Sequence, residues 1–569
     1  MKQTPRFTMG IGIQNFDKLR TENVFYIDKT DFIKQWWETK DDVTLITRPR
    51  RFGKTLNLSM LECFFSKKYE SRADLFEGLS IWNYEEYRSL QGTYPTIFLS
   101  FASVKTGNIQ GIKTSIKWIL AREFNRHDYL KEKLSPAELS MFEAIKPEMG
   151  DETAINCINL LSEFMQKYYN KKVIILLDEY DTPIQEAWLD GNWDKAVKFF
   201  RGFFNAAFKT NDYMYRAIIT GITRISKDSI FSDLNNIQVI TTTSNKYAEC
   251  FGFTENEVFT ALDSAGLGNE KKDVKNWYNG FTFGNHTDIY NPWSIIKFID
   301  ENAKYKTYWA DTSGNCLISS LIQKGSANVK QIIENLIKGK SFTTELDEQI
   351  IFNQLDSNEE AIWSLFLASG YLKVAKLEML ANGNYNYTLQ LTNYEVLKMF
   401  KKMIKEWFLS EANTYNNFVK ALLINDVDAM NEFMNKIALQ SFSSFDIGKN
   451  SSSGDAPERF YHGFVLGLMV ELEKRFVITS NKESGFGRYD IMLTPINKNK
   501  DNAYIIEFKV YKPQKEKKLE ETVKNALTQI DEKQYETILI AEGIPHENII
   551  KYGFAFKGKK CLIGSNTTL

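Results

Sequence analysis

A continuous apolar run that ends in acidic residues restricts most strongly how this chain folds. Val173 to Leu177 are all apolar, and Asp178 and Glu179 follow them at once. A run without alternation predicts a parallel strand that is buried on both faces, as in an α/β sheet covered by helices. At the end of such a strand Asp178 would hold Mg²⁺ and Glu179 would orient a hydrolytic water. The alternative is a strand that simply ends in solvated acids.

A second short strand, Val43 to Thr47, leads into a loop that ends in Gly53, Lys54 and Thr55 and then into a predicted helix. This arrangement binds nucleotide phosphates, because the N–H groups of the loop and of the helix N-terminus face them. Lys54 would reach the phosphates, Thr55 would ligate Mg²⁺, and Arg51 and Gly53 would belong to the loop that surrounds them. An arginine replaces the first glycine of the general pattern, so the Gly-Lys-Thr tripeptide alone is a weak indication.

A third apolar segment, Arg216 to Gly221, also predicts a strand. Thr223 and Arg224 follow it, where a polar sensor on the neighbouring strand and an arginine near the γ-phosphate would fall. The three segments together predict an ATP-binding site with Mg²⁺.

Near the C-terminus, an Asp, an apolar strand, a polar turn and a strand with Glu-x-Lys follow one another. Asp490 and Glu507 lie equally far from the middle of the turn 497–500, so a hairpin would bring their carboxylates together. Glu507 and Lys509 are two residues apart and share a face of the strand. Two carboxylates can hold Mg²⁺ or Mn²⁺, whose bound water can attack a phosphodiester. Lys509 would then steady that water or the charge that develops on the phosphate.

Glu-x-Lys is also common on solvated strands, which is the alternative explanation. Against it, Glu507 and Lys509 alternate with Ile506, Phe508 and Val510 inside a strongly apolar strand.

Further polar residues flank the hairpin. Glu458 and His462 lie four residues apart on a predicted helix and therefore share one face. Downstream, Gln529 lies in another helix-like segment and Tyr535 follows it, and Thr537 to Ala541 are predicted to form a strand.

Composition limits the classes of function. The chain has 569 residues with 43% hydrophobic and 25% charged residues, which is typical of a globular protein with three or four domains. Its net charge is −1, so nucleic acid would have to bind a local patch. The candidates are Lys509, Lys512, Lys515, Lys517 and Lys518, although a solvated loop explains the same run.

Cysteine usage and hydropathy bear on location. The five cysteines show no Cys-x-x-Cys spacing, which favours a reduced cytoplasm over a zinc ribbon or a disulfide framework. No apolar run approaches the ~18 to 20 residues of a membrane span, and the N-terminus lacks a signal core. We therefore expect a cytoplasmic protein without a membrane partner.

The segments between the two sites indicate a helical lid and a helical middle part. Residues 358–391 suggest helix, strand, turn and strand, as in a winged helix, which either contacts DNA or serves as a packing module. Ser441 to Ala456 is the best linker candidate. The predicted boundaries are 1–240 for the nucleotide domain, 241–305 for the lid, 306–450 for the middle and 451–569 for the C-terminal domain.

From about Glu458 to Leu569 the sequence resembles the PD-(D/E)XK nuclease superfamily, in the branch near RecB-like nucleases. The resemblance implies a restriction-endonuclease-like α/β fold with Asp490 and Glu507 as metal ligands and Lys509 as the catalytic lysine. It also implies Glu458 or His462 as an extra ligand or organiser. By the same likeness Gln529 and Tyr535 contact substrate. The Pro of the family name is absent, since Tyr489 precedes Asp490.

Residues 8–300 resemble the bacterial AAA-ATPase-like family that is often fused to a PD-(D/E)XK domain. The phrases that carry this likeness are Tyr26 to Thr30, Arg48 to Thr55, Leu177 to Asp181, Trp277 to Phe281 and Tyr290 to Ser294. The family has the same Arg-Pro-Arg-Arg-Phe-Gly-Lys-Thr loop, so the missing glycine fits it. The resemblance implies an ATP-binding P-loop fold of the AAA or STAND type.

Three functional hypotheses follow. The leading one is an ATPase whose nucleotide state controls a metal-dependent nuclease acting on DNA or RNA, with DNA favoured. The second is a STAND-like regulatory or defence switch whose C-terminal domain binds nucleic acid without cutting. The third is a defence or toxin component that acts only with a partner. The sequence leaves a homo-oligomer open.

Overall fold

The structure is a computed structural model of the whole chain. It describes residues 8–566, except for 107, 226–229, 232–233, 311–315, 325, 347–351, 356–357, 410–411, 442–464, 466–468, 470–471, 473–474, 481–482, 485–486, 499 and 559. The chain divides into two compact units, which are Met1–Ile318 with Ser341–Leu397 and Ser319–Lys340 with Lys398–Leu569. The four-part division expected from the sequence stays a prediction.

The first unit is built on a parallel five-stranded sheet with the strand order β2-β3-β4-β1-β5. The strands are β1 (Val43–Thr47), β2 (Thr96–Ser100), β3 (Val173–Asp178), β4 (Met214–Gly221) and β5 (Ile237–Ile240). Every residue of β1 and β3 is buried, as expected of strands inside a parallel sheet that helices cover. The three strands expected from the sequence are thus confirmed. Because the strands are parallel, the polar residues that follow them lie at one edge of the sheet.

Helices cover this sheet and supply its core. They are α1 (Phe16–Thr21), α2 (Asp31–Thr39), α3 (Lys54–Phe65), α4 (Glu85–Arg88), α5 (Ile109–Arg126), α6 (Pro136–Glu143), α7 (Asp151–Tyr169), α8 (Thr182–Leu189) and α9 (Trp193–Phe204). The helix α3 packs on β2 and β3, and α7 packs on β3. The parallel sheet with its helices fits a P-loop ATPase fold.

The lid expected from the sequence combines helices with a small sheet. Its helices are α10 (Glu255–Ser264), α11 (Lys271–Tyr278) and α12 (Pro292–Asp300). Three antiparallel strands accompany them in the order β6-β8-β7, namely β6 (Phe253–Thr254), β7 (Asn279–Phe283) and β8 (His286–Tyr290). The sequence did not indicate this sheet, because its strands are short and flank the helices closely.

The middle of the chain has the predicted helix, strand, turn and strand. The helix α15 (Glu359–Ala368) precedes β10 (Leu372–Met379) and β11 (Tyr385–Leu391), and β9 (Phe342–Glu345) completes an antiparallel sheet in the order β10-β11-β9. The other helices are α13 (Cys316–Lys324), α14 (Ala327–Ile337), α16 (Tyr394–Leu409), α17 (Ala412–Leu423) and α18 (Val427–Ser441).

The second unit contains a mixed five-stranded sheet in the order β12-β15-β16-β17-β18. Its strands are β12 (Phe476–Ser480), β15 (Ile491–Pro495), β16 (Ala503–Val510), β17 (Ile549–Lys557) and β18 (Lys560–Ser565), and a separate two-stranded ribbon pairs β13 (Glu483–Ser484) with β14 (Gly487–Arg488). One face packs on α17 and α18, and the other packs on α19 (Leu519–Glu532). This mixed sheet fits a PD-(D/E)XK domain.

The strand predicted at Thr537–Ala541 is wrong, because these residues form a short helix, α20. The position beside β16 is taken by β17, which pairs with it in parallel from Ala503 opposite Ile549. Only Leu539 of α20 is buried, whereas Ile538 and Ile540 face solvent. Tertiary pairing therefore overrides the local β-propensity of this segment.

Among the described residues, no helix is both long enough and apolar enough to cross a lipid bilayer.

Candidate active sites

The loop between β1 and α3 takes a left-handed path at two residues. Arg51 has φ 64° and Gly53 has φ 83°. Left-handed backbone favours glycine, which explains Gly53. Crowding is not the reason, because an added Cβ there would meet no other atom. The twelve-residue helix α3 begins directly afterwards at Lys54. The loop therefore presents the N-terminal N–H groups of a buried helix at the carboxyl edge of the sheet, where an anion is stabilised.

The ammonium of Lys54 lies inside this loop. Its Nζ donates hydrogen bonds to the carbonyl oxygens of Arg48 and Pro49, each at 2.9 Å. Burial lowers the pKa of Lys54, while the nearby carboxylates of Glu179 and Asp178 oppose that shift. Lys54 is thus a buried cation beside two acids, as expected of a lysine that binds phosphate.

Asp178, the last residue of β3, links α3 to the neighbouring strand β4. It is fully buried, and its two carboxylate oxygens accept hydrogen bonds from the hydroxyls of Thr55 at 2.7 Å and Thr220 at 2.6 Å. Burial raises the pKa of Asp178, and the hydrogen bond from Thr220 opposes the rise. The structure therefore brings together Thr55 and Asp178, the two residues predicted to hold Mg²⁺. Sequence reasoning missed Thr220, although it lies in the predicted strand β4.

Asp181 organises the segment after β4. The same oxygen of this buried carboxylate accepts hydrogen bonds from the N–H groups of Ile222 at 2.9 Å and Thr223 at 2.8 Å and from the Thr223 hydroxyl at 2.8 Å. Burial raises the pKa of Asp181, and the hydrogen bonds from Thr223 and Ile222 oppose this. Thr223, the predicted sensor, is thus held by Asp181, whose only sequence signal is its place in an acidic run.

Gly221 allows this close approach. A Cβ at Gly221 would lie 2.7 Å from an oxygen of Asp181 and 2.6 Å from the ring of Tyr180.

Glu179 and Arg224 border the same region. Glu179 has φ 51°, and its carboxylate accepts a hydrogen bond from the Thr182 hydroxyl at 3.0 Å. Arg224 is half-buried and follows Thr223 directly. A cavity in this region is lined by Arg50, Thr223 and residues of several other segments. The predicted catalytic and sensor residues thus lie at one edge of the sheet.

Arg48, which stands where the general pattern has glycine, is an internal anchor. Its guanidinium is fully buried, donates to the carbonyls of Thr47 and Thr241, and lies 4.4 Å from the ring centre of Phe283. Burial lowers the pKa of Arg48 to about 9, which leaves it charged at neutral pH. The substitution therefore fastens the start of the loop to the segment after β5 and to β7.

The loop is also held from the outside. The carbonyl of Arg50 accepts hydrogen bonds from the indole of Trp309 at 3.0 Å and from the Asn291 amide at 3.3 Å. The guanidinium of Arg51 lies 4.4 Å from the ring centre of Trp293. Asn291 and Trp293 belong to a sequence motif that carried the family resemblance. Their contacts show that this motif packs against the loop.

In the second unit, the hairpin register is the one that counting predicts. Ile491 pairs with Ile506 and Leu493 pairs with Tyr504, so the same register places Asp490, the residue just before β15, opposite Glu507. The carboxylate of Asp490 accepts a hydrogen bond from the Phe508 N–H at 2.8 Å.

Glu507 is the centre of a polar cluster on the face of β16 that packs toward α19. It is 2% exposed, and one of its oxygens accepts hydrogen bonds from Lys509 at 3.3 Å and from the amide of Gln529. The same amide donates to the hydroxyl of Tyr535 at 3.1 Å. Burial raises the pKa of Tyr535, against the hydrogen bond from Gln529, so its hydroxyl is neutral at physiological pH. Gln529 and Tyr535 thus contact the glutamate itself, and their predicted role in substrate binding stays a prediction.

The donor set fits a hard divalent cation, because two carboxylates from neighbouring strands offer only oxygen. Asp490 and Glu507 would hold Mg²⁺ or Mn²⁺. The part of the chain that the structure describes contains no group of three or more His, Cys, Asp or Glu residues placed to hold a metal. Glu458 and His462, the predicted additional ligands, lie outside the described residues.

Two protein-family models match the chain, one around each of the two regions described above. A family model for a predicted AAA-ATPase matches residues 10–231, and a model for the PD-(D/E)XK nuclease superfamily matches residues 456–566. The protein joins an AAA-ATPase-like domain to a PD-(D/E)XK domain. Both resemblances stated from the sequence are confirmed.

Two similar proteins extend this comparison. An Azotobacter chroococcum mcd 1 protein described as "Uncharacterized protein in vnfD 5'region" is 24% identical over 523 residues, which cover 89% of this chain and 90% of that protein. The similarity therefore spans both domains. The ORC2 protein of Aeropyrum pernix, solved as ADPNP–ADP complexes, covers 66% of this chain and 92% of its own at 9% identity with a TM-score of 0.24, which supports no conclusion.

The anchoring role of Arg48 predicts a loss of stability in Arg48→Ala. The change leaves the carbonyls of Thr47 and Thr241 without their donor in a buried place, so we expect a loss of about 3 kcal/mol. Arg50→Ala is the matched control, because its exposed side chain should change stability by less than about 0.5 kcal/mol. Urea unfolding followed by circular dichroism measures both. Equal urea midpoints for Arg48→Ala and Arg50→Ala would contradict the anchoring role of Arg48.

Proposed function

We propose that this protein is an ATPase whose nucleotide state regulates a metal-dependent nuclease in the same chain. The observation that carries the nuclease assignment is the cluster of Asp490, Glu507 and Lys509 at the end of one hairpin. The observation that supports the ATPase assignment is the pair of hydrogen bonds that hold Asp178 between Thr55 and Thr220.

In the nucleotide domain, Lys54 would donate to the β- and γ-phosphates in place of the loop carbonyls that it contacts. Thr55 and Asp178 would hold Mg²⁺, which neutralises charge on the phosphates when it is bound. Glu179 would orient the attacking water, and Arg224 would lie near the γ-phosphate. Asp181 would keep Thr223 and the following residue in place through its hydrogen bonds.

In the C-terminal domain, Asp490 and Glu507 would bind Mg²⁺ or Mn²⁺, which lowers the pKa of a bound water when present. Gln529 fixes the orientation of the Glu507 carboxylate by its hydrogen bond. The side chain of Lys509 is about one-quarter exposed, and its ammonium lies 3.3 Å from a carboxylate oxygen of Glu507. It can therefore reach a phosphate oxygen and oppose the charge that develops there. DNA is the favoured substrate and RNA the other.

The cysteines are consistent with a reducing compartment. The four that the structure describes, Cys63, Cys157, Cys250 and Cys561, are buried free thiols. We place the protein in the cytoplasm on this basis.

The nuclease assignment predicts that Glu507→Ala and Asp490→Ala each lower the cleavage rate about 1,000-fold or more, because each removes an oxygen that would hold the metal. Lys509→Ala should keep metal binding and slow cleavage about 100-fold. Gel assays with labelled single- and double-stranded DNA and RNA measure the rates, and Mn²⁺ titration measures the metal.

Glu542→Ala is the control, because this exposed acid lies outside the cluster. The control variant should cut at the wild-type rate. Cleavage at the wild-type rate in Glu507→Ala would contradict the nuclease assignment. Binding of nucleic acid without cleavage by the wild type would favour the STAND-like switch.

The ATPase assignment predicts that Lys54→Ala weakens ATP binding by about tenfold or more, because the buried ammonium is lost. Glu179→Gln should bind ATP normally and hydrolyse it about 100-fold more slowly, because only the carboxylate acts on the water. Calorimetry and phosphate release separate the two effects, with exposed Lys105→Ala as the control. An unchanged ATP affinity in Lys54→Ala would mean that the loop is structural.

Regulation predicts that the cleavage rate differs between nucleotide states. Glu179→Gln held with ATP should cut at a rate different from Lys54→Ala, since both keep Asp490, Glu507 and Lys509. For binding, any coupling must be reciprocal, so nucleic acid should shift ATP affinity by the same factor. Identical cleavage by both variants on every substrate, with and without ATP, would establish two independent modules.

A further inference from the structure

One end of the C-terminal sheet carries a group of exposed lysines. The strand β16 ends at Val510, just after Lys509, and β17 ends beside it at Lys557 because the two strands are parallel. The strand β18 starts at the same end, where Lys560 pairs with Lys557. We call six exposed side chains at this end the lysine edge, namely Lys512, Lys515, Lys517, Lys518, Lys557 and Lys560.

Tyr511 connects the two halves of the lysine edge. Its N–H donates to the carbonyl of Phe556 at 2.9 Å, and the ammonium of Lys557 lies 4.2 Å from the centre of its ring. Its hydroxyl donates to the carbonyl of Glu516 at 3.0 Å. The loop 511–518 and the β17–β18 turn therefore form one continuous surface.

The acid inside this loop, Glu516, is engaged in hydrogen bonds through both of its oxygens. One oxygen of Glu516 accepts from the Lys512 N–H at 2.9 Å and the Thr522 hydroxyl at 2.8 Å, and the other accepts from Asn525 at 2.8 Å. Burial would raise the pKa of Glu516, but these hydrogen bonds lower it, so the carboxylate is ionised and internally satisfied.

Ion pairs do not neutralise the lysine edge within the part of the chain that the structure describes. None of the six forms an ion pair with a residue in the described part of the chain. The exposed acids closest in sequence are Glu520 and Glu521 at the start of α19, and Glu521 accepts a hydrogen bond from the Lys517 N–H at 2.8 Å. The surface is thus predominantly positive on a chain whose net charge is −1.

We propose that the lysine edge binds the sugar–phosphate backbone of a nucleic acid and directs it to Asp490 and Glu507. The proposal rests on the nuclease function and adds the surface by which the substrate is held. Lys509 lies between the edge and the acids, because the loop begins two residues after it on the same strand. Lysines on a loop contact phosphates without reading bases, so we infer binding with little sequence preference.

The test compares two double variants of the full chain. Lys515→Gln with Lys517→Gln removes two charges from the lysine edge, whereas Lys498→Gln with Lys500→Gln removes two from the β15–β16 turn at the opposite end of the strands. Fluorescence anisotropy with labelled single-stranded DNA, duplex DNA and single-stranded RNA is measured in EDTA, which separates binding from cleavage. Circular dichroism checks that both variants are folded.

The expected result is a smaller salt dependence in the edge variant alone. The slope of log affinity against log salt concentration should fall by about 0.7 per lysine on single strands and about 0.9 on duplex DNA, hence by ~1.4 or ~1.8 for the pair. The substrate held there is the one whose slope falls by the full amount expected for it. Equal slopes for the wild type, the edge variant and the turn variant would overturn the lysine edge while leaving the nuclease assignment intact. No nucleic-acid binding by the wild type would overturn both.

Discussion

A charged group that is taken out of water must be hydrogen-bonded, and both sites of this protein are assembled around such groups. In the AAA-ATPase-like domain Asp178 accepts hydrogen bonds from Thr55 and Thr220, and Asp181 accepts hydrogen bonds from Thr223. In the C-terminal domain Glu507 draws Lys509 and Gln529. Several partners of these buried carboxylates are residues that the proposed chemistry needs, so the hydrogen bonds that lower the cost of burial also fix the geometry of the sites.

The strands and the hairpin register were predictable, because they follow from local rules. An unbroken apolar run indicates a strand buried on both faces, and counting from the turn pairs Ile491 with Ile506. The roles of Asp181, Thr220 and Arg48 were not predictable, because each depends on residues that are distant in sequence. The helix at Thr537–Ala541 was missed for the same reason, since β17 occupies the position beside β16.

The loop between β1 and α3 is also tied to other parts of the first unit. Trp309 and Asn291 bond the carbonyl of Arg50, and the backbone N–H of Trp309 donates at 2.6 Å to Glu395, a fully buried acid that also accepts from Ser294 at 2.9 Å. A nucleotide that displaces Lys54 from the loop carbonyls would act on a loop that is tied to these residues. This gives the proposed regulation a physical starting point within the first unit.

We propose that the acids of the C-terminal hairpin make this chain a metal-dependent nuclease under nucleotide control. The most direct measurement incubates the purified full chain with labelled single- and double-stranded DNA and RNA, in Mg²⁺, Mn²⁺ or EDTA, with and without ATP. We expect the protein to cleave at least one substrate. This cleavage should require the metal, and its rate should change with ATP. Intact substrates in every combination, from a folded protein that binds ATP, would contradict this proposal.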